Sequence, residues 1–301
     1  MPRHLDYSRH QGRLIAIAIL VLAVALVATG VWWVTTMPSR QASVAPAASA
    51  GAGSSAAPST PAPSAMPSPT QAPASSTPPA APATNPATGR VDTLDGLVPD
   101  YVLPPIENGM APVLTKVATE QKVVFLTIDD GAVKRDSDLA LLAKNDIKAS
   151  LFLAHGFIAG DPQFYKKYTA AGHLIENHTM SHNLAFIQLG YEEQKAEICG
   201  MADFEEQQYG RRPVFFRPPG GPYTEAIRRA VAECGMKAVV DWETKANAGG
   251  MDYQVGAGLR PGDIVLMHFR PEFPADLAAF LKAQKAAGLK VVLLEDYLAT
   301  K

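Results

Sequence analysis

Two imidazoles four residues apart stand in Asn177-His178-Thr179-Met180-Ser181-His182, a spacing that one helical turn would bring to a single face. Thr127-Ile128-Asp129-Asp130-Gly131 sets two carboxylates side by side at the end of an apolar run. Adjacent acids repel, so a buried pair needs a cation or a shared proton between them. Taken alone, the first motif reads equally as core or surface histidines, and the second as a solvated acidic turn. Taken together, two histidines and one aspartate make a three-ligand metal site with positions left for water and substrate. That is the catalytic rather than the structural arrangement. The remaining aspartate could then serve as base toward a metal-bound water. His268, closing Leu266-Met267-His268, could act as general acid because its free pKa lies near neutrality; a polar strand edge is the alternative. Arg217 could hold a carboxylate through a forked hydrogen bond. Pro218 and Pro219 fix an extended turn, and Gly220 leaves a backbone N–H open to a developing oxyanion. The set fits metal-assisted hydrolysis of an acyl group.

Such side chains must be brought together by the elements that carry them. Short apolar runs rich in β-branched residues predict strands over Val123–Asp129, Ala149–Leu153, His173–Asn177, Val214–Arg217, Ala238–Trp242, Asp263–His268 and Val291–Leu294. Helical patterns lie between them over Ser137–Lys144, Phe164–Ala171, Tyr191–Tyr209, Glu225–Cys234 and Ala275–Ala287. Gly172, Gly210, Gly235 and Gly288 stand where those helices should stop. Alternation of this kind implies parallel strands joined by crossovers, in either a closed, irregular barrel or an open doubly wound sheet. No GxGxxG follows the first strand. Function in such folds gathers at the C-terminal ends of strands. Asp129 and Asp130, His178 and His182, Arg217 to Gly220, and His268 all fall there.

The chain has 301 residues, a formal charge of −2 and two cysteines, which excludes a disulfide-dense scaffold and argues against a nucleic-acid binder. Leu14 to Val34 carries no charge, is long enough for a transmembrane helix and ends in Trp32 and Trp33. Arg3, Arg9 and Arg13 precede it, so the expected organisation is a cytoplasmic N-terminus over 1–13 and a single-pass membrane anchor over 14–34. A Pro/Ala/Ser/Thr-rich disordered linker follows over 35–89, then an extracellular domain over 90–301. A long cleaved signal, giving a secreted form, is the alternative. The exported part carries an excess of acids, which weakens any claim on nucleic acid or anionic lipid. Cys199 and Cys234 fall on two neighbouring predicted helices, and in an exported protein a structural disulfide between them is expected, with two buried thiols as the alternative.

These motifs resemble those of the NodB-homology polysaccharide deacetylases (carbohydrate esterase family 4), over roughly Lys122 to Ala299. Thr127 to Gly131 is similar to that family's TFDDG, Gly172 to His182 to its GHEIGNHTxxH, Phe216-Arg217-Pro218-Pro219 to its FRPPYG, and Leu266-Met267-His268 to its closing LxH. The resemblance implies an irregular (β/α) barrel of about seven parallel strands that removes N- or O-acetyl groups from a polysaccharide with one divalent metal, zinc or another such as cobalt. By motif position Asp129 would be the base, Asp130, His178 and His182 the metal ligands, and His268 the general acid. Arg217 would orient the base and Gly220 would contribute to the oxyanion hole. Trp242 could line the sugar cleft. The chain departs from the pattern at Gly220, where a tyrosine is usual, at Ala132, where a proline often stands, and in the fourth motif, where only Trp242 and Asp241 can stand in for DxxDW. The substrate expected is an acetylated cell-wall glycan, N-acetylglucosamine-type sugars of peptidoglycan or a chitin-like polymer. A non-catalytic glycan-binding module that keeps the fold, and a metal-dependent esterase or amidase on a smaller acylated molecule, are the competing expectations.

Overall fold

The computed structural model describes Leu94 and residues 96–300. Its strands are β1 (Val113–Leu114), β2 (Val123–Asp130), β3 (Ser150–Leu153), β4 (Leu174–Asn177), β5 (Phe215–Phe216), β6 (Ala238–Val240), β7 (Thr244–Asn247), β8 (Gly250–Tyr253), β9 (Ile264–His268) and β10 (Lys290–Val291). Among them run helices α1 (Asp136–Lys144), α2 (His155–Ile158), α3 (Lys166–Ala170), α4 (Tyr191–Tyr209), α5 (Glu225–Glu233), α6 (Phe273–Ala287) and α7 (Leu294–Tyr297). Gly210 and Gly288 end α4 and α6 in the left-handed conformation, at φ 76° and 62°, as their positions in the sequence predict.

Strand β2 organises the rest. All eight of its residues are buried, which its continuous apolar run requires of a strand covered on both faces. Period-2 alternation sends Val124, Leu126 and Ile128 into one core cluster with Leu151, Leu153, Val265 and Met267. Val123 and Phe125 enter a second cluster with Phe152 and Ile264. Thr127 and Asp129 continue the second face, and the register places Asp129 opposite both Phe152 of β3 and His268 of β9.

The sheet corrects the expectation of an irregular (β/α) barrel of about seven parallel strands. Among the described residues it has ten strands in the order β1-β6-β5-β4-β3-β2-β9-β7-β8, with β10 pairing the start of β2, and it forms an open, curled half-barrel. Its ends, β1 and β8, do not meet. One end is a strand of two residues, the other is the half-exposed outer strand of an antiparallel hairpin, and no pairing joins them. The hairpin was invisible to apolar patterning because Thr244-Lys245-Ala246-Asn247 is largely polar. Its turn places Ala248 and Gly249 at φ 50° and 73°, the two successive left-handed residues of a tight hairpin, without the Asn-Gly pair that signals one. The strand expected over Val291–Leu294 shortens to β10, and Leu294 instead opens α7.

The expectation of a membrane span is also corrected. No helix among the described residues is long and apolar enough to cross a membrane. The segments expected as anchor (14–34) and linker (35–89) lie outside the described residues. The structure accordingly gives no support to a single-pass localisation or to a membrane partner.

Cys199 on α4 and Cys234, which caps α5, are joined in a disulfide, with Cα atoms 5.0 Å apart across 35 residues of sequence. Neither residue lines the cleft that holds Asp129 and Asp130. A second buried polar cluster also stands away from that cleft. Glu176 of β4, Glu205 of α4 and Glu295 of α7 are all buried. Glu176 pairs with Arg211 and accepts the Val214 and Phe215 N–H groups at 2.8 and 2.7 Å. Ser150 donates to Glu295 at 2.7 Å, whereas both carboxyl oxygens of Glu205 lack a partner. Burial, reinforced by the charge of Glu176, pushes Glu295 up from 4.5 to about 8 and lifts Glu205 well above its ordinary value.

Two outcomes follow from these clusters. Replacing both cysteines by alanine should cost roughly 4 kcal/mol, from loop-closure entropy in the unfolded chain, read as a lower midpoint in denaturant, with metal binding retained. Between 4.5 and about 8 the folded chain keeps a proton on Glu295 that the unfolded chain has released, so stability should fall as pH rises through that window. Glu205→Gln should raise the melting temperature most at the alkaline end and leave the acid end nearly unchanged, which melts across the window would register.

Candidate active site and metal centre

Alternation along β2 would send the side chain of Asp130 to the opposite face from Asp129. It does not, because Asp130 leaves the extended conformation at φ 76° and Gly131 follows at φ 80°. Both carboxylates consequently approach one atom: Nε2 of His178 lies 3.7 Å from an oxygen of each. Glycine is required at 131, since a Cβ there would sit 2.7 Å from the Ile158 side chain and 3.1 Å from the Tyr165 hydroxyl.

His178 and His182 follow β4, but not on a helix as their spacing suggests. The segment 178–182 is a loop, with Thr179 at φ 72° and His182 at φ 55°. A β-branched residue there is strained, at a cost of roughly 1–3 kcal/mol, and local hydrogen bonds oppose it. The Thr179 N–H donates to Asn177 Oδ1, and the His182 N–H donates to Thr179 Oγ1, both at 3.0 Å. Asn177 is itself tied down by its amide, which donates to the Ile198 carbonyl at 2.8 Å. The Nδ1–H of His178 donates to the Arg217 carbonyl at 2.7 Å. That bond selects the tautomer and turns the Nε2 lone pair toward the carboxylates.

One donor atom each from Asp130, His178 and His182 lies within 4.8 Å of the other two. Asp130 Oδ1 is buried without a satisfied hydrogen bond, and Nε2 of His182 stands 3.1 Å away. An orphaned carboxylate oxygen facing two imidazole nitrogens is what a divalent ion would satisfy, and the N₂O donor set is that of an open catalytic site. Burial pushes the Asp130 carboxyl up, but His182 and His178 outweigh it and hold the group below its ordinary value. Burial also drives His178 down to about 3, so the ring is neutral and free to ligate.

Asp129 is held separately. Arg217, fully buried, donates from Nη1 to Asp129 Oδ1 at 2.7 Å and to Thr127 Oγ1 at 2.8 Å, and from Nε to the Val240 carbonyl at 3.0 Å. Its guanidinium lies 4.2 Å from the Phe152 ring centroid and 5.5 Å from that of Trp242. Burial raises the Asp129 carboxyl above its ordinary value, with Arg217 and His268 pulling the other way. His268 is lowered by burial, while Asp129 and Asp130 oppose that shift. The two acids of β2 are thus charges that favour the protonated form of His268. Asp241 instead offers its backbone carbonyl to Arg217 at 3.4 Å.

Asp129, Asp130, His178, His182 and His268 line one cleft of about 220 Å³, walled in part by Gly220 and Trp242. Gly220 adopts φ 73°, with the exposed Leu184 side chain 3.8 Å from where its Cβ would be. The same cleft is lined by Leu184, Lys245, Asn247 and Arg270, which no sequence motif singles out. Lys245 and Asn247 belong to the hairpin that apolar patterning misses. Arg270 stands two residues beyond His268, and that proximity was the available signal.

Comparison with known proteins agrees with this geometry. Residues 116–239 match the polysaccharide deacetylase family model. An uncharacterised protein of Streptomyces coelicolor is 36% identical over 200 residues, covering 63% of this chain and 78% of its own. A peptidoglycan-N-acetylglucosamine deacetylase of Bacillus cereus is 30% identical over 189 residues, covering 56% of this chain and 68% of its own. Among solved structures, a family 4 pseudoenzyme from Bacillus anthracis superposes with a TM-score of 0.55 at 22% identity, over 62% of this chain and 68% of the other, a likeness that shows the fold. With relatives this similar over two thirds or more of their own length, and a buried Asp/His/His cluster suited to one divalent ion, the chain belongs to the NodB-homology polysaccharide deacetylases, carbohydrate esterase family 4, hydrolases of the amide bond on amino-sugar polymers.

Proposed function

We propose that this site removes N-acetyl groups from N-acetylglucosamine-type sugars of peptidoglycan or a chitin-like polymer, with zinc held by Asp130, His178 and His182 in a catalytic domain over 90–301. The observation that carries the reading is Asp129. It is not part of the ligand triad, a binding module would have no use for it, and yet it is buried, lifted in pKa and gripped by Arg217 at 2.7 Å. A bound zinc ion would supply Lewis acidity, polarising the acetyl carbonyl and an attacking water. Asp129 accepts the proton from that water, and its raised pKa suits a base better than an ordinary carboxylate would. Arg217, whose Nη1 is also held by Thr127 Oγ1, keeps Asp129 Oδ1 aimed. The N–H of Gly220, in the cleft wall, donates to the oxygen that gains charge. His268, opposite Asp129 across the sheet, returns a proton to the leaving amine. The acids of β2 favour its protonated form, and burial eases the proton's departure. Trp242 supplies an apolar surface for a sugar face.

The test is acetate release by the full chain from N-acetylated peptidoglycan strands and from chitooligosaccharides, with zinc or cobalt added and after chelation. Release should require the metal. Asp130→Ala and His178→Ala should each lose metal and turnover together, and an unchanged metal content would remove that residue from the triad. Asp129→Asn should keep the metal and lose about 10²–10⁴-fold in rate. Near wild-type activity in that variant would show the base to be misassigned. A folded, metal-loaded chain that releases acetate from neither glycan would overturn the proposed substrate.

A further inference from the structure

The cleft holds a cation that the deacetylation chemistry does not use. Arg135, Arg211, Arg212, Arg217 and Arg260 each meet a carboxylate. Arg270 is half-buried, lines the cleft beside His268, and has no ion-pair partner among the described residues. Its one side-chain hydrogen bond is a long one, from Nη1 to Asn247 Oδ1 at 3.4 Å. A guanidinium carries five N–H donors in a planar fork, so most of that capacity remains for something else.

The placement is built rather than incidental. The Arg270 carbonyl accepts from Arg135 Nη2 at 2.8 Å, and the Phe273 N–H donates to the same oxygen at 3.1 Å, which pins the backbone at the start of α6. On the other wall, Lys245 and Asn247 are two residues apart on β7 and share a face. Lys245 is paired in register with Leu266, and Leu266 also lines the cleft. Of the charges around Arg270, Asp129 is taken by Arg217, Asp130 belongs to the metal triad, and Lys245 has Asp252 at 3.5 Å. One positive charge on the cleft wall is therefore left uncompensated.

We propose that Arg270, propped by Asn247, is a specificity-determining residue that binds a carboxylate carried by the substrate on the sugar next to the acetylated one. A guanidinium fork takes a carboxylate through two parallel hydrogen bonds, and a single positive charge balances a monoanion. The inference rests on the deacetylase reading and deepens it, because it names the preferred substrate class as an acidic glycan over a neutral one.

The experiment compares two disaccharides that share N-acetylglucosamine and differ in the second sugar. One is N-acetylglucosaminyl-N-acetylmuramic acid, with a lactyl carboxylate, and the other is neutral di-N-acetylchitobiose. Binding to the zinc-loaded full chain is measured calorimetrically, and KM and kcat for acetate release are measured on longer strands of each kind. The wild type should prefer the acidic disaccharide by on the order of tenfold, the worth of one charge-assisted pair. Arg270→Gln should collapse that preference to within about twofold and act on KM rather than kcat, Arg270→Lys should keep part of it, and Asn247→Ala should lose part of it. Zinc content and melting temperature of the variants separate recognition from misfolding. Equal binding of the two disaccharides by the wild type, binding of neither, or an equal loss on both in Arg270→Gln, would overturn the proposal. A preference for the acidic sugar without acetate release would uphold it while removing the deacetylase reading; release without preference would do the reverse.

Discussion

The left-handed turn at Asp130 is the constraint on which the rest of the site depends. In an extended strand successive side chains point to opposite faces, so two adjacent carboxylates can never serve one centre unless the backbone leaves that conformation between them. Asp130 does so at φ 76°, and Gly131 completes the turn where the Ile158 side chain leaves no room for a Cβ. The consequence is a division of labour between two chemically identical groups. Asp130 meets the histidines and is held below its ordinary pKa, while Asp129 meets Arg217 and remains above it. Strain is concentrated around this centre, since Thr179 and His182 are left-handed as well. It is tolerated because the Thr179 and His182 N–H groups of the distorted loop find acceptors on Asn177 and Thr179.

Arg217 is the second fixed point. A fully buried guanidinium is costly unless its donors are used, and here they reach Asp129, Thr127 and the carbonyls of Val240 and Asp241. Its own carbonyl accepts from His178. One residue thus connects the carboxylate outside the triad to a ligand within it, through side chain in one direction and backbone in the other. Trp242 lies 5.5 Å from the same guanidinium, although the rest of its motif differs from the family pattern.

The open edge of the sheet has a functional side. A closed ring of strands would place β1 beside the far end of the sheet, whereas the half-barrel ends in the β7–β8 hairpin, which brings Lys245 and Asn247 to the cleft wall. The wall that faces Asp129 and His268 therefore carries polar and cationic side chains supplied by that hairpin.

Residue types and spacing carried the candidate site and the order of the strands that frame it. Buried parallel strands tend to be continuous apolar runs, so β2, β3 and β9 were legible, and polar residues at strand C-terminal ends could only be site residues or edge. Asp129, Asp130, His178, His182, Arg217 and His268 were all readable for that reason, as were the glycine stops of α4 and α6. Short or polar strands carry no such pattern, and β1, β7, β8 and the shortening of β10 were not legible because their pairing depends on partners far along the chain. The helical spacing of His178 and His182 suggested the wrong local structure for the right pair, since local hydrogen bonding by Asn177 and Thr179 overrides an i, i+4 pattern. Long-range packing sets the rest: the sheet stays open, the two aspartates share a face, and Arg270 stands on the cleft wall with no ion-pair partner among the described residues. Each of these depends on backbone dihedrals or long-range register, which residue type and spacing do not encode.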